Sequence, residues 1–223
     1  MNRVLFNKKI ESFGVLLKGC SLSEISKYKH NFNDCFIVND FKEEIKHIGN
    51  DLIGKNVVHF VNRSHYAPLK SEQYRGLKLK KVQFYQVFNF LDIGHLVSWL
   101  RYKILLKQMY WLPSKLLAFN KSFGSEFKNK FPNTGILSVV YALEIIQPKE
   151  LWIFGMDFYK ANYLFRRKYH KSLEPQISKY DKLNIVDFTK ELFASYPKTK
   201  IYLVTSYAEF PPVENVKKIT VNC

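Results

Sequence analysis

Residues 153–170 read IFGMDFYKANYLFRRKYH. An apolar run ends at Gly155, and Asp157, Phe158, Tyr159, Tyr163, Arg166, Arg167 and His170 follow in quick succession. Phenols donate hydrogen bonds, guanidinium groups pair with carboxylate or phosphate, and an imidazole exchanges a proton near neutral pH. A connection that only had to turn the chain would be built from Gly, Pro, Asn and Ser. This segment instead carries groups able to hold an anion and move a proton, directly after what reads as a buried strand.

The elements that must position these groups are legible as apolar runs. FGVLLKG (13–19) reads as a buried strand entering a glycine turn. In the CSLSEISKY that follows, Ser21 or Ser23 suits a helix cap, and Ser21 to Glu24 fits the capping-box pattern. DCFIVND (34–40), NVVHFVNRS (56–64), KKVQFYQVF (80–88), ELWIFG (150–155), KIYLVTS (200–206) and KKITVNC (217–223) read as further strands. In NTGILSVVYALEIIQ (133–147), Ile136, Val139, Val140 and Leu143 follow helical spacing, with Asn133 or Thr134 as cap. YDKLNIVDFTKELFASY (180–196) predicts an amphipathic helix, and residues 1–12 read as a loose, basic start.

Short strands that are apolar on both faces and alternate with helices suit a parallel sheet covered on both sides. The expectation is one α/β domain over residues 1–223, a Rossmann-like parallel sheet sandwiched by helices. A helical excursion is expected at 95–130, and a lid at 159–178 over the strands' carboxyl edge. Ligands of such sheets bind outside that edge. Five polar features fall there together: the KGCS turn (18–21), Asn39, Asn62, the PNTG helix start (132–135) and GMDFY (155–159).

Composition narrows the classes. Hydrophobic residues make up 47% of the 223, enough for a substantial core and against disorder. The formal net charge of +16 suits a basic solvated surface, a phosphate-bearing ligand, a polyanion or an anionic membrane face. Zinc-finger spacing and the aromatic-basic signature of RNA binders are missing, so nucleic acid is not expected as a partner. The cysteines, at 20, 35 and 223, are odd in number and irregular in spacing. They predict unpaired thiols, a reducing cytoplasmic compartment, and a Cys20 that only packs. The sequence shows no signal-peptide pattern and no apolar run of about 18 residues, so no spanning helix is expected. The basic, Trp-containing stretch 95–123 reads as a buried helical pair, with an amphipathic surface on anionic lipid as the second reading.

The ordered set VLLKGCSLSEI, FIVNDF, HFVNRS, PNTGILSVVYALEI and LWIFGMDFYKANY resembles the bacterial sialyltransferases of glycosyltransferase family 42. That family shows a Gly-x-Ser-Leu turn after its first strand, an Asn after each of the next two, a Thr/Ser-Gly helix start and a Gly-x-Asp-Phe-Tyr strand end. The helix start is also similar to the Ser-Thr-Gly of animal sialyltransferases. The resemblance spans roughly residues 13–205. Two departures stand out. The family's first turn usually reads Gly-Asn-Gly-Pro-Ser, whereas this chain has Lys18-Gly19-Cys20-Ser21, and residues 85–130 align with nothing in the family.

The resemblance implies transfer of sialic acid, or a related sugar such as Kdo, from a CMP donor to a glycan or glycolipid hydroxyl, with inversion. It implies donor contacts from Gly19, Ser21, Asn39, Asn62, Asn133, Thr134, Gly135, Asp157 and Phe158. Tyr159 and Tyr163 would donate to the departing phosphate, and His170 would take the acceptor's proton. Arg166 and Arg167 suit the sugar carboxylate or an anionic acceptor. Asp157 also reads as a residue that bonds the loop without entering the chemistry. No cofactor is expected beyond the donor substrate. No metal is expected either, because the chain lacks the Asp-x-Asp clamp and its 19 acids are scattered. Two further classes compete: a pyrophosphokinase-type enzyme of similar fold, which needs ATP, Mg²⁺ and clustered carboxylates, and a non-enzymatic module for polyanions or membrane surfaces.

Overall fold

The computed structural model describes residues 9–38, 41–62, 78–85, 133–158, 164 and 185–223. Seven strands form one sheet: β1 Ser12–Leu16, β2 Asp34–Val38, β3 Asn56–Asn62, β4 Lys78–Tyr85, β5 Glu150–Phe154, β6 Lys200–Thr205 and β7 Val216–Thr220. Their spatial order is β4-β3-β2-β1-β5-β6-β7, and every neighbouring pair is parallel. The domain is therefore the doubly wound α/β sandwich that the two-sided apolar strands predict. The expected helical excursion at 95–130 and lid at 159–178 lie outside the described residues.

Side chains alternate across the pleat, so each strand feeds two cores. On one face Phe13, Val15, Phe36, Val38, Val58 and Phe60 pack beneath helix α3 (Thr134–Tyr141) and helix α4 (Ile185–Ala194). Phe36 sits 5.1 Å from Phe60 and meets Tyr141 edge-on at 5.8 Å, the offset geometry that aromatic pairs prefer. On the other face Leu16, Cys35, Ile37, Val57, Trp152 and Phe154 meet Ile25 of helix α1 (Ile25–Tyr28). Ile45, Ile48 and Leu52 of helix α2 (Lys42–Leu52) complete that core.

Three local expectations are corrected. Residues 9–12 are not loose: Ile10 is buried, Ser12 opens β1, and the Glu150 N–H donates to the Glu11 carbonyl at 2.9 Å. The segment Cys20–Glu24 is a 3₁₀ turn whose cap, Gly19, offers no side chain, so Ser21 and Glu24 do not form a capping box. Helix α3 does begin at an Asn133 cap, but its last turn widens into a π-helix over Ala142–Ile146. Gln147 then closes it in the left-handed conformation just before Pro148, which cannot continue a helix.

The two edges of the sheet differ. At the amino edge, Lys55 donates to the carbonyls of Lys29 and Phe32 and lies over the Phe32 ring, while Asn56 bonds Asp34 at 2.9 Å. That end is tied shut. At the carboxyl edge, strand order reverses between β1 and β5, because β1 has β2 on one side and β5 on the other. Such a reversal splays the outgoing connections apart and opens a crevice. No helix among the described residues is long and apolar enough to cross a membrane.

Candidate active site

The crevice is built by β1 and β5 continuing side by side past their formal ends. The Leu17 N–H donates to the Phe154 carbonyl at 2.8 Å, and the Gly19 N–H donates to the Gly155 carbonyl at 3.0 Å. The two chains approach so closely that two glycines are required. Gly155 has a φ of 71°, and a Cβ there would lie 2.6 Å from the Leu17 carbonyl carbon and oxygen. Gly19 has ordinary backbone angles, but a Cβ there would fall 2.0 Å from Asp157 Oδ2.

Asp157 is the centre of this junction. Its Oδ2 accepts the Ser21 N–H at 3.1 Å, and its Oδ1 accepts the Ser206 N–H at 2.8 Å. The Ser21 hydroxyl lies 2.8 Å from Oδ1 and the Thr205 hydroxyl 3.2 Å. Each hydroxyl has a second acceptor, Val204 O for Ser21 and Met156 O for Thr205. Ser21 Oγ in turn accepts the Gly155 N–H at 3.0 Å. One carboxyl thus ties the turn after β1 to the ends of β5 and β6. It is 4% exposed, which makes it a structural tie and agrees with the loop-bonding alternative raised by the sequence.

Helix α3 completes the wall. Asn133 Oδ1 accepts the Ile136 N–H at 2.8 Å, and a Cβ on Gly135 would touch the Leu17 side chain at 3.3 Å. The first turn of α3 therefore abuts the end of β1, and its leading N–H groups and positive dipole end lie at the crevice.

The predicted site residues divide into three groups. Gly19, Ser21, Asn133, Thr134, Gly135, Asp157 and Phe158 are brought to one edge around the β1–β5 reversal. Within that group, Ser21 is fully buried and Phe158 is 4% exposed. The Phe158 ring stacks on Phe210 at 5.2 Å, and its backbone holds a φ of 51° that a bulky residue adopts only under constraint. Both residues shape the wall from behind it. Asn62 ends β3 on the same edge, two strands from β1. Asn39, Tyr159, Tyr163 and His170 lie outside the described residues, as do Arg166 and Arg167.

Sequence reasoning missed Thr205 and Ser206, which supply half of the donors to Asp157. The signal was present, because Thr-Ser closes the KIYLV strand much as polar residues close the others.

It also missed a covalent tie. Cys20 and Cys223 form a disulfide with a Cα–Cα separation of 5.9 Å, within the normal span for such a bond. The expectation of unpaired thiols is overturned, and with it the argument from cysteine for a reducing compartment. Cys35 is the remaining free cysteine, fully buried, and desolvation pushes its thiol up to about 12. The thiolate is the reactive form, so a raised value suppresses alkylation at every pH below it. Intact-mass analysis after alkylation at pH 8 is expected to show no label on the native protein. After reduction two labels are expected, and a third only after unfolding. Two labels on the unreduced native protein would contradict the Cys20–Cys223 bond.

A doubly wound parallel domain with a polar crevice at its strand-order reversal is the architecture that holds nucleotide-type ligands. Among solved structures, the chain is similar to the sialyltransferase Cst-II, a variant of which was determined in complex with CMP. That match has a TM-score of 0.56 and 20% identity, over 93% of this chain and 89% of the other. It is also similar to CstII from Campylobacter jejuni in complex with a substrate analogue, CMP-3FNeuAc. Here the TM-score is 0.58 and the identity 19%, over 92% and 86% of the two chains. The chain thus has the fold of a bacterial sialyltransferase. No family model matches it, and no curated protein does.

Proposed function

We propose that this protein is an inverting, metal-independent glycosyltransferase. It moves sialic acid, or a related CMP-activated sugar, to a hydroxyl of a glycan or glycolipid. The observation that carries this reading is the β1–β5 junction. Asp157 ties three strand ends together there and the first turn of α3 closes the wall, in a fold whose solved neighbours hold CMP and CMP-3FNeuAc.

The chemistry follows from charge. As the glycosidic bond breaks, the sugar becomes oxocarbenium-like and the leaving CMP phosphate gains negative charge. The α3 N-terminus offers main-chain donors to an anion at that place. We assign Tyr159 and Tyr163 as phenol donors to the same phosphate and His170 as the base that takes the acceptor proton. Their support is order and spacing in a segment that begins directly at the Asp157 tie. Asn39 and Asn62 follow or end β2 and β3 and suit amide contacts to the nucleoside. Phenols, amides and backbone N–H groups meet the phosphate charge without a divalent ion.

A melting experiment with a nucleotide panel tests the proposal. CMP is expected to raise the melting temperature by several degrees at a hundredfold excess over its Kd, with AMP and UMP giving less. His170→Ala is expected to keep the CMP shift and to lose transfer by roughly a hundredfold or more. Stabilisation by ATP with Mg²⁺ and none by cytidine nucleotides would overturn the reading in favour of a phosphoryl-transfer enzyme.

A further inference from the structure

The segment after β1 does not simply turn away from the sheet. It crosses the end of β5 to reach β6: Leu22 is buried in one core with Phe154 and Val204, and the Ser21 hydroxyl lies 3.0 Å from the Val204 carbonyl oxygen. The Cys20–Cys223 disulfide carries this crossing one strand further, to the residues that follow β7. Those residues reach the same edge. The Val221 N–H donates to the Thr205 carbonyl at 3.0 Å, and Thr205 and Ser206 both bond Asp157. The turn is thus gripped twice. Asp157 holds it by hydrogen bonds to Ser21, and the disulfide holds it covalently through Cys20, the residue between Gly19 and Ser21.

The two sulfurs differ in access. Cys20 is buried and Cys223 is exposed. A thiolate arriving from solvent therefore meets the Cys223 sulfur. With a dithiol reductant, one of its thiolates attacks Cys223 Sγ, the Cys20–Cys223 bond breaks, and Cys20 leaves as a thiolate that takes up a proton. The reductant's second thiolate then attacks its own sulfur in the mixed disulfide and releases Cys223, which is protonated in turn. Two electrons and two protons pass to the protein, and the reductant departs as a disulfide. The sheet does not depend on the bond, since β7 pairs with β6 along its whole length and both cores lie on the faces of the sheet. Opening it removes one of the two grips on the turn and leaves the fold.

We propose that the Cys20–Cys223 bond is a redox switch on the crevice: closed, it holds the Gly19–Ser21 turn ready for the cytidine nucleotide, and its reduction weakens nucleotide binding. This rests on the cytidine-nucleotide reading of the same crevice and adds its regulation. A turn ordered in advance loses little freedom when a ligand arrives, whereas a loosened one must be ordered at the expense of affinity. Linkage makes the effect reciprocal: a nucleotide that prefers the closed form makes the bond harder to reduce by the same factor.

Calorimetric titration of the full chain with CMP, before and after reduction by a dithiol, tests this. Reduction is expected to weaken CMP about tenfold, and reoxidation with oxidised glutathione to restore it. Cys223→Ser is expected to bind CMP as the reduced protein does and to ignore the reductant. In glutathione buffers, saturating CMP is expected to lower the equilibrium constant for opening the bond by the same factor. Equal CMP affinity in the two states would overturn the proposal, as would a bond that millimolar reduced glutathione leaves closed. A reduced protein without a cooperative melting transition would also overturn it, by making the bond a staple of the fold. A wild-type protein that binds no cytidine nucleotide in either state would overturn the nucleotide reading instead. Amide hydrogen exchange across residues 19–22 then judges the bond alone: faster exchange after reduction supports the switch, and unchanged exchange overturns it.

Discussion

Gly155→Ala is expected to cost roughly 3 kcal/mol of folding stability or more, whereas Gly54→Ala is expected to cost only about 1. Both glycines have positive φ, 71° and 82°, so both substitutions force an L residue into the left-handed region at about 1–2 kcal/mol. They differ in space. At Gly54, in the turn after α2, a new Cβ meets nothing within 4 Å. At Gly155 it lies 2.6 Å from the Leu17 carbonyl carbon and oxygen and 2.9 Å from the Gly19 nitrogen. Those are backbone atoms held by the Leu17–Phe154 and Gly19–Gly155 hydrogen bonds, so relief requires prising β1 from β5. That steric term adds on the order of 1–3 kcal/mol, as overpacking does elsewhere. Urea unfolding midpoints of the two variants decide the matter, and equal shifts would show that the β1–β5 approach is looser than described. Because the same opening widens the crevice, Gly155→Ala is also expected to shrink the CMP-induced melting shift, while Gly54→Ala leaves it intact.

The strands were legible because burial on both faces removes the need for polar alternation. FIV, LWIF and IYLV announce themselves as unbroken apolar runs, and VVHF is interrupted by His59 alone. Helix α2 was not singled out for the opposite reason. Its buried apolar residues Ile45, Ile48 and Leu52 and its cap Phe41 are separated by Glu43, Lys46 and other polar residues, among them the buried Glu44, so the stripe appears only at helical period. The rim was legible as a set of strand ends, since parallel pairing sends every carboxyl end to one edge. What each rim residue does there was less so. Ser21 satisfies a local capping pattern with Glu24, but its hydroxyl finds Asp157, 136 positions away, because both groups are buried together and a buried carboxyl is a strong hydrogen-bond partner. Phe158 carries the look of a ligand contact from its neighbours in sequence, yet its ring is drawn into the core by Phe210. The Cys20–Cys223 pair is separated by 203 positions, a proximity that no periodicity encodes.

Asp157→Ala is expected to lower stability by about 4 kcal/mol and to abolish the CMP-induced melting shift. The carboxyl is 4% exposed and meets two backbone N–H groups and two hydroxyls. Alanine would leave the Ser21 and Ser206 N–H groups without this acceptor, each at about 1–3 kcal/mol when no water replaces it. The hydroxyls suffer less, since Ser21 can turn to Val204 O and Thr205 to Met156 O. Asp157→Asn gives a graded comparison. One amide oxygen can still accept at the Oδ1 position, where three donors converge, but the NH₂ then faces the Ser21 N–H, donor against donor. A loss of about 2 kcal/mol is expected, between wild type and alanine. Unfolding midpoints in the order wild type, Asn, Ala would support a structural tie. A variant Asp157→Asn that keeps full stability and nucleotide binding but loses transfer would instead place this carboxyl in the chemistry. The two outcomes exclude one another because the same pair of oxygens cannot be satisfied by four protein donors and also serve a substrate, and the burial of Ser21 and Asp157 favours the first.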